Sequence, residues 1–155
     1  MGRLAGIARH ARPGGVIEEI AVACVTAAEG VEGNCRGTPV SGKQPRRQVT
    51  LIEAESWALA MTELGLEGAT RLPWSQRRAN LLVEGLRLPR EPGKVISIGK
   101  SLRIETTMEC DPCRRMEAVH PGLMQALTPD WRGGVCGRVI ADGDIEVGDE
   151  VRIEP

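Results

Sequence analysis

Ser101-Leu102-Arg103-Ile104-Glu105-Thr106-Thr107-Met108-Glu109-Cys110-Asp111-Pro112-Cys113-Arg114-Arg115-Met116 changes character part-way along. From Ser101 to Thr107 polar and apolar residues alternate, the pattern of a half-buried strand, so the segment predicts a strand that delivers two cysteines to its end. Asp111 is a good N-cap and Pro112 suits the first helical position, which predicts a helix with Cys113 inside its first turn and Arg114 and Arg115 beside it. The free N–H groups of a first turn and two guanidinium groups bias such a thiol towards thiolate, with the Asp111 carboxylate opposing them.

Working outward, His120-Pro121-Gly122 separates two predicted helical pieces, Cys113 to Val119 and Leu123 to Leu127. Gly133-Gly134 permits a sharp turn before a strand from Val135 to Ile140. Asp142 to Ile153 alternates throughout, turns at Asp142-Gly143 and Gly148-Asp149, and closes a sheet. Upstream, Arg3 to Ala8 and Val16 to Val25 read as strands around a loop at Arg12-Pro13-Gly14-Gly15. Gln48 to Ile52 reads as a strand that runs into a helix from Glu53 to Leu64, where Trp57, Ala60, Met61 and Leu64 share one face and read as core. Pro73-Trp74-Ser75-Gln76 makes a turn, Arg77 to Gly85 joins a charged head to an apolar strand, and Leu86 to Lys100 adds further β-like segments. Eight or more short strands with few helices predict a mainly β domain, a β-barrel or folded sheet with helices on its rim.

Composition sets the outer bounds. The 155 residues, 41% hydrophobic, are enough for one domain with its own core, and no Pro/Gly/Ser tract divides residues 1–155. With 20 basic and 21 acidic side chains the net charge is -1, which argues against a nucleic-acid partner or an anionic membrane surface and makes any anion site a local one. Phe and Tyr are absent and Trp occurs three times, so stacking platforms for single strands are poorly supplied. The N-terminal residues lack the apolar stretch of a signal peptide and nothing reaches the length of a membrane span, so no membrane association and a cytoplasmic location are expected, with the five cysteines as reduced thiols.

Three places carry candidate chemistry. The long polar, glycine-rich segment between Glu29 and Arg47 holds Arg36, Lys43, Arg46 and Arg47, and it reads equally as a solvated basic loop or an anion-binding one. Arg78 and Asn80 are two apart; in an extended chain they share a face and could grip one oxyanion, or they are simply polar residues on an edge strand. Cys110-x-x-Cys113 is compatible with zinc, with thiol redox chemistry or with a heavier soft metal. Zinc needs two more ligands, for which Cys136 and His120 are available at irregular spacing. Thioredoxin-like chemistry wants the motif at a helix start in a βαβ setting, a pattern this strand-rich sequence does not suggest. Cys24, Cys35 and Cys136 read as small packing residues and His120 as a helix-end residue.

Taken in order, Gly30-x-x-Gly33-Asn34-x-x-Gly37, Arg47-Gln48-Val49-Thr50-Leu51, Arg78-x-Asn80-Leu81-x-Val83-x-Gly85, Asp111-Pro112-Cys113-x-x-Met116, Trp131-Arg132-Gly133-Gly134-Val135 and Gly143-x-Ile145-x-Val147-Gly148-Asp149-x-Val151 resemble the MOSC domain, which takes its name from the C-terminal part of molybdenum cofactor sulfurases. The resemblance spans nearly the whole chain from about Leu4. It implies a β-barrel-like domain that binds the molybdenum cofactor (molybdopterin) or carries sulfur, and it does not imply pyridoxal phosphate. By similarity Cys113 is the metal ligand or persulfide site and the catalytic residue if the domain is an enzyme. Arg78, Asn80 and Arg47 then hold the cofactor, with Asp111 and Pro112 close to the pterin. A sulfur donor or a redox partner protein is the implied partner, and a reductase of N-hydroxylated substrates is the implied enzymatic alternative. A zinc-stabilised, non-catalytic β-domain is the further alternative. Two departures stand out: Asn34 replaces the aspartate usual after that glycine, and the N-terminal barrel region that accompanies the domain in amidoxime-reducing enzymes is not expected here.

Overall fold

Alternating burial along the strands separates an inner face from an outer one, and the inner faces close on each other. The computed structural model describes residues 1–35, 37–39, 43 and 45–155. The chain begins with β1 (Gly2–Arg9), β2 (Glu18–Ile20), β3 (Val22–Thr26), β4 (Gly30–Val31) and β5 (Val49–Glu53). Helix α1 (Ala54–Glu63) leads through short 3-10 turns to β6 (Leu81–Glu84), β7 (Val95–Ile98) and β8 (Leu102–Glu109). Helices α2 (Arg114–Val119) and α3 (Leu123–Ala126) precede β9 (Val135–Ala141), β10 (Gly143–Glu146) and β11 (Glu150–Ile153).

Seven strands form a closed barrel in the order β11-β7-β8-β9-β5-β6-β1, sealed where Gly2 and Arg3 of β1 pair with Val151 and Glu150 of β11. Strand β2 extends the sheet beyond β1, and β10-β3-β4 form a second, three-stranded sheet. Within the barrel only β5 and β6 run parallel, with Leu51 opposite Leu81 and Ile52 opposite Leu82, and α1 supplies the crossover that a parallel pair requires. The barrel interior is aliphatic and includes Leu4, Ile7, Leu51, Leu81, Ile96, Ile104 and Val135. Ile52 and Leu82 point the other way, into a second cluster with Trp57 and Met61 of α1, Met116 of α2 and Leu123 of α3. This is why Leu51-Ile52 and Leu81-Leu82-Val83 read as unbroken apolar runs: both faces of these strands are covered.

The mainly β, barrel-like expectation holds, and four local expectations are corrected. Val16 to Val25 is not one strand; it divides at Ala21, whose carbonyl accepts from Val147 N–H at 2.9 Å, because β2 belongs to the barrel sheet and β3 to the small one. A βαβ unit does exist, β5-α1-β6, although the cysteine pair lies elsewhere, after β8. Helix α2 starts at Arg114, so Cys113 is its extended N-cap residue (φ −124°, ψ −176°) and not part of the first turn. Ladder pairing explains the delay: Cys110 N–H still donates to Gly134 O at 2.9 Å, which keeps the chain extended past the end of β8 and beyond the reach of Asp111 as a cap. Arg78 sits in the left-handed region (φ 66°) at the end of a 3-10 turn, so Arg78 and Asn80 do not share the face of an extended strand. No helix among the described residues is long and apolar enough to cross a membrane.

Candidate functional site

A cleft of about 180 Å³ opens where β1 and β8 end and β5 and β6 begin. Its wall takes His10 from beyond β1, Arg47 and Thr50 from the start of β5, Arg77 to Asn80 from the turn before β6, and Cys110, Asp111, Cys113 and Arg115 from the segment after β8. The structure therefore brings together Cys113, Arg47, Arg78, Asn80 and Asp111. Pro112 does not line the cleft; it is buried against the Gly133 turn behind it. Of the basic loop, Arg36 lies outside the described residues; among the described ones Arg47 lines the cleft and Lys43 and Arg46 do not.

Charge is concentrated here. Four guanidinium groups, from Arg47, Arg77, Arg78 and Arg115, face one carboxylate, that of Asp111. None of the four forms an ion pair among the described residues, whereas Arg3, Arg9, Arg87, Arg90, Arg103, Arg132, Arg138 and Arg152 all do. Half-buried Arg78 donates to Gly15 O at 2.7 Å, fastening the loop after β1 over the cleft. Burial first, and then the neighbouring Arg115 charge, lower its pKa below the usual arginine value. An anion in the cleft would relieve both effects.

Asn80 is differently employed. Its Oδ1 accepts from Thr50 N–H at 3.0 Å and from the Thr50 hydroxyl at 3.2 Å, and its Nδ2 donates to Ala8 O at 3.1 Å. The amide thus ties β5, β6 and β1 together at the cleft floor. Asn34 uses its Oδ1 to accept His10 N–H at 3.1 Å, a task that a neutral amide performs without the negative charge of an aspartate.

The two cysteines of the motif occupy different environments. Cys113 is exposed, and Cys110 is buried at 8% relative exposure. Buried Arg77 spans the site: its Nε donates to Gly133 O at 2.9 Å, and its Nη2 donates to Cys110 O at 2.8 Å and to Cys110 Sγ at 3.3 Å. The Cys136 thiol, also buried, neighbours Cys110. The neighbouring Cys136 thiol, helped by the charges of Arg77 and Arg47 against the cost of burial, holds Cys110 below the usual thiol range, and the same proximity and burial push Cys136 up. A bulge in β8 places the sulfurs: Thr106 pairs with Gly137 and Met108 with Cys136, leaving Thr107 as the extra residue. The Thr107 hydroxyl shares its single proton between the carbonyls of Arg46 and Cys136, anchoring the loop that presents Arg47.

Sequence reasoning passed over Arg77 and His10 as site residues. Nothing in the string distinguishes Arg77 from Arg78; the 3-10 turn buries one and half-exposes the other. The zinc alternative finds no support: among the described residues no three His, Cys, Asp or Glu side chains group as a ligand set, and His120 closes α2 with its Nδ1 on the Pro121 carbonyl.

The sequence model of the MOSC domain matches residues 37–152. The chain belongs to the MOSC domain family. No curated protein matches it. Among solved structures, the YuaD protein from Bacillus subtilis superposes with a TM-score of 0.79 at 16% identity, covering 99% of this chain and 96% of that one. YiiM from Escherichia coli gives 0.69 at 15% identity, over 99% and 70% of the two chains, and YiiM from Geobacillus stearothermophilus 0.67 at 16%, over 100% and 76%. At such identities these likenesses show the fold alone, a MOSC barrel across the whole chain.

Proposed function

We propose that this MOSC protein binds the molybdenum cofactor or carries sulfur, with Cys113 as the metal ligand or persulfide site. One observation carries the reading: an exposed thiol shares a cleft with four arginines, none of which forms an ion pair among the described residues. Unpaired guanidinium groups suit phosphate and oxo groups, and a thiol suits a thiophilic metal or a sulfane sulfur. The donor set fits the molybdenum cofactor on these grounds. Cys113 would bind the metal, and Arg47, Arg78 and Arg115 would hold the anionic parts; when bound, the group supplies a redox-active metal centre. Asp111 belongs to the same wall. Asn80 would act one step removed, by fixing the floor on which Arg78 and Thr50 stand.

The deciding experiment measures molybdenum and sulfane sulfur in protein purified from a host that makes the cofactor, for the wild type and Cys113→Ser in parallel. Loss of either from the variant, with the fold intact by circular dichroism, is the expected result. Equal loading of both proteins sinks the reading.

A further inference from the structure

The site holds a second sulfur nucleophile to which the reading above gives no task. Cys110 lies on the cleft wall within the same motif as Cys113, yet it is buried and receives an Nη2–H hydrogen bond from Arg77 at 3.3 Å. A packing cysteine needs no guanidinium aimed at its sulfur. Arg77 is itself locked by bonds to the carbonyls of Gly133 and Cys110, so its contact with the sulfur is built in.

We propose that Cys113 and Cys110 form a two-station sulfur relay, in which exposed Cys113 accepts sulfane sulfur and buried Cys110 receives it from Cys113 and shelters it. The inference rests on the sulfur-carrying form of the proposed function. In the first step the Cys113 thiolate attacks a sulfane sulfur of a polysulfide or of a donor's persulfide, and the donor leaves as a thiolate or a polysulfide one sulfur shorter. In the second, Cys110 Sγ attacks the outer sulfur of the Cys113 persulfide. The bond from Cys110 Sγ to that sulfur forms, and the bond from Cys113 Sγ breaks. Its electron pair remains on Cys113, which leaves as a thiolate. One S–S bond replaces another, so no oxidant or reductant is consumed. The negative charge moves from Cys110 to the leaving Cys113 thiolate, which shares the cleft with Arg47, Arg78 and Arg115. The division of labour follows from exposure: a donor can reach Cys113, while small thiols that would strip the sulfur are kept from Cys110.

The test loads the full chain with inorganic polysulfide, quenches with iodoacetamide at intervals and maps the modified cysteines by mass spectrometry. Trypsin releases Ile104 to Arg114 as one peptide, and fragmentation between Asp111 and Pro112 separates the two sulfurs. In the wild type the extra sulfur is expected first on Cys113 and later on Cys110. Cys113→Ser should leave Cys110 unloaded, and Cys110→Ala should keep the sulfur on Cys113, where glutathione removes it faster than from the wild type. Sulfur that stays on Cys113 in the wild type, or that loads Cys110 equally well in Cys113→Ser, overturns the relay while leaving Cys113 open as a carrier or ligand. Wild-type protein that takes up no sulfur on either cysteine overturns the sulfur-carrying reading and the relay with it.

Discussion

At the scale of single residues, Asn80 contributes more to the site by what it holds than by what it could touch. Its three bonds satisfy the Thr50 N–H and the Ala8 carbonyl where ladder pairing between β1, β5 and β6 begins. Asn80→Ala strands both backbone groups in a site that is 4% exposed, and each unsatisfied buried group costs about 1–3 kcal/mol, so the variant should lose about 2–6 kcal/mol in urea unfolding. Asn80→Asp should fail in a different way, because a carboxylate has no N–H to offer the Ala8 carbonyl. Arg77 and Arg78 make the same point about context. Adjacent and identical, one is buried to clamp Cys110 and Gly133, and the other turns through a positive φ to reach Gly15 and face the cleft.

At the scale of elements, the site depends on how β8 and β9 are joined across the α2-α3 excursion. Gly134 allows the return. Its φ is +110°, and a Cβ built there would lie 2.2 Å from the Leu51 carbonyl oxygen. Gly134→Ala combines a backbone conformation that L-residues avoid with a collision against a barrel strand, and each effect alone costs about 1–3 kcal/mol. The variant should therefore be destabilised by at least about 2 kcal/mol in chemical denaturation, and a near-neutral result would mean that the β5–β9 contact is looser than this geometry. The glycine pair itself was legible in the sequence as a turn. The position of the α2 start was not, because capping rules weigh only neighbours in the chain, whereas the bond from Cys110 N–H to the Gly134 carbonyl holds the segment extended from across the sheet.

At the scale of the molecule, the barrel is sealed by its two ends, and the residue after β11 reinforces the seal. Glu154 accepts hydrogen bonds from Ser97 of β7 and Arg103 of β8, and Arg103 first and Ser97 second hold its carboxyl below the usual carboxylate range. A carboxyl whose pKa is depressed on folding stabilises the folded state above its unfolded value and loses that contribution as pH falls through the folded value. Stability should accordingly decline on the acid side of the ordinary glutamate range, and Glu154→Gln should lower the melting temperature at neutral pH while flattening that part of the acid decline. Parallel melts from neutral pH into the acid range check this; an unchanged acid profile in the variant would remove Glu154 from the account.

The amino-acid sequence by itself determined most of the local structure: the alternating strands from Ser101 and from Asp142 onward, the core face of α1, the Gly133-Gly134 turn, and a set of ordered motifs sufficient to point to the MOSC family. These are properties of short windows, where side-chain period and turn chemistry act directly. Only the tertiary structure decided that Arg47, Arg78 and Arg115 line one cleft with Cys113 and form no ion pair among the described residues, and that buried Arg77 reaches the Cys110 sulfur. Those relations join segments that are distant in the chain, and closing β1 onto β11 is what sets them side by side. The ionisation of a thiol depends on which charges and donors come within a few ångströms of it, and that proximity is a property of the closed barrel.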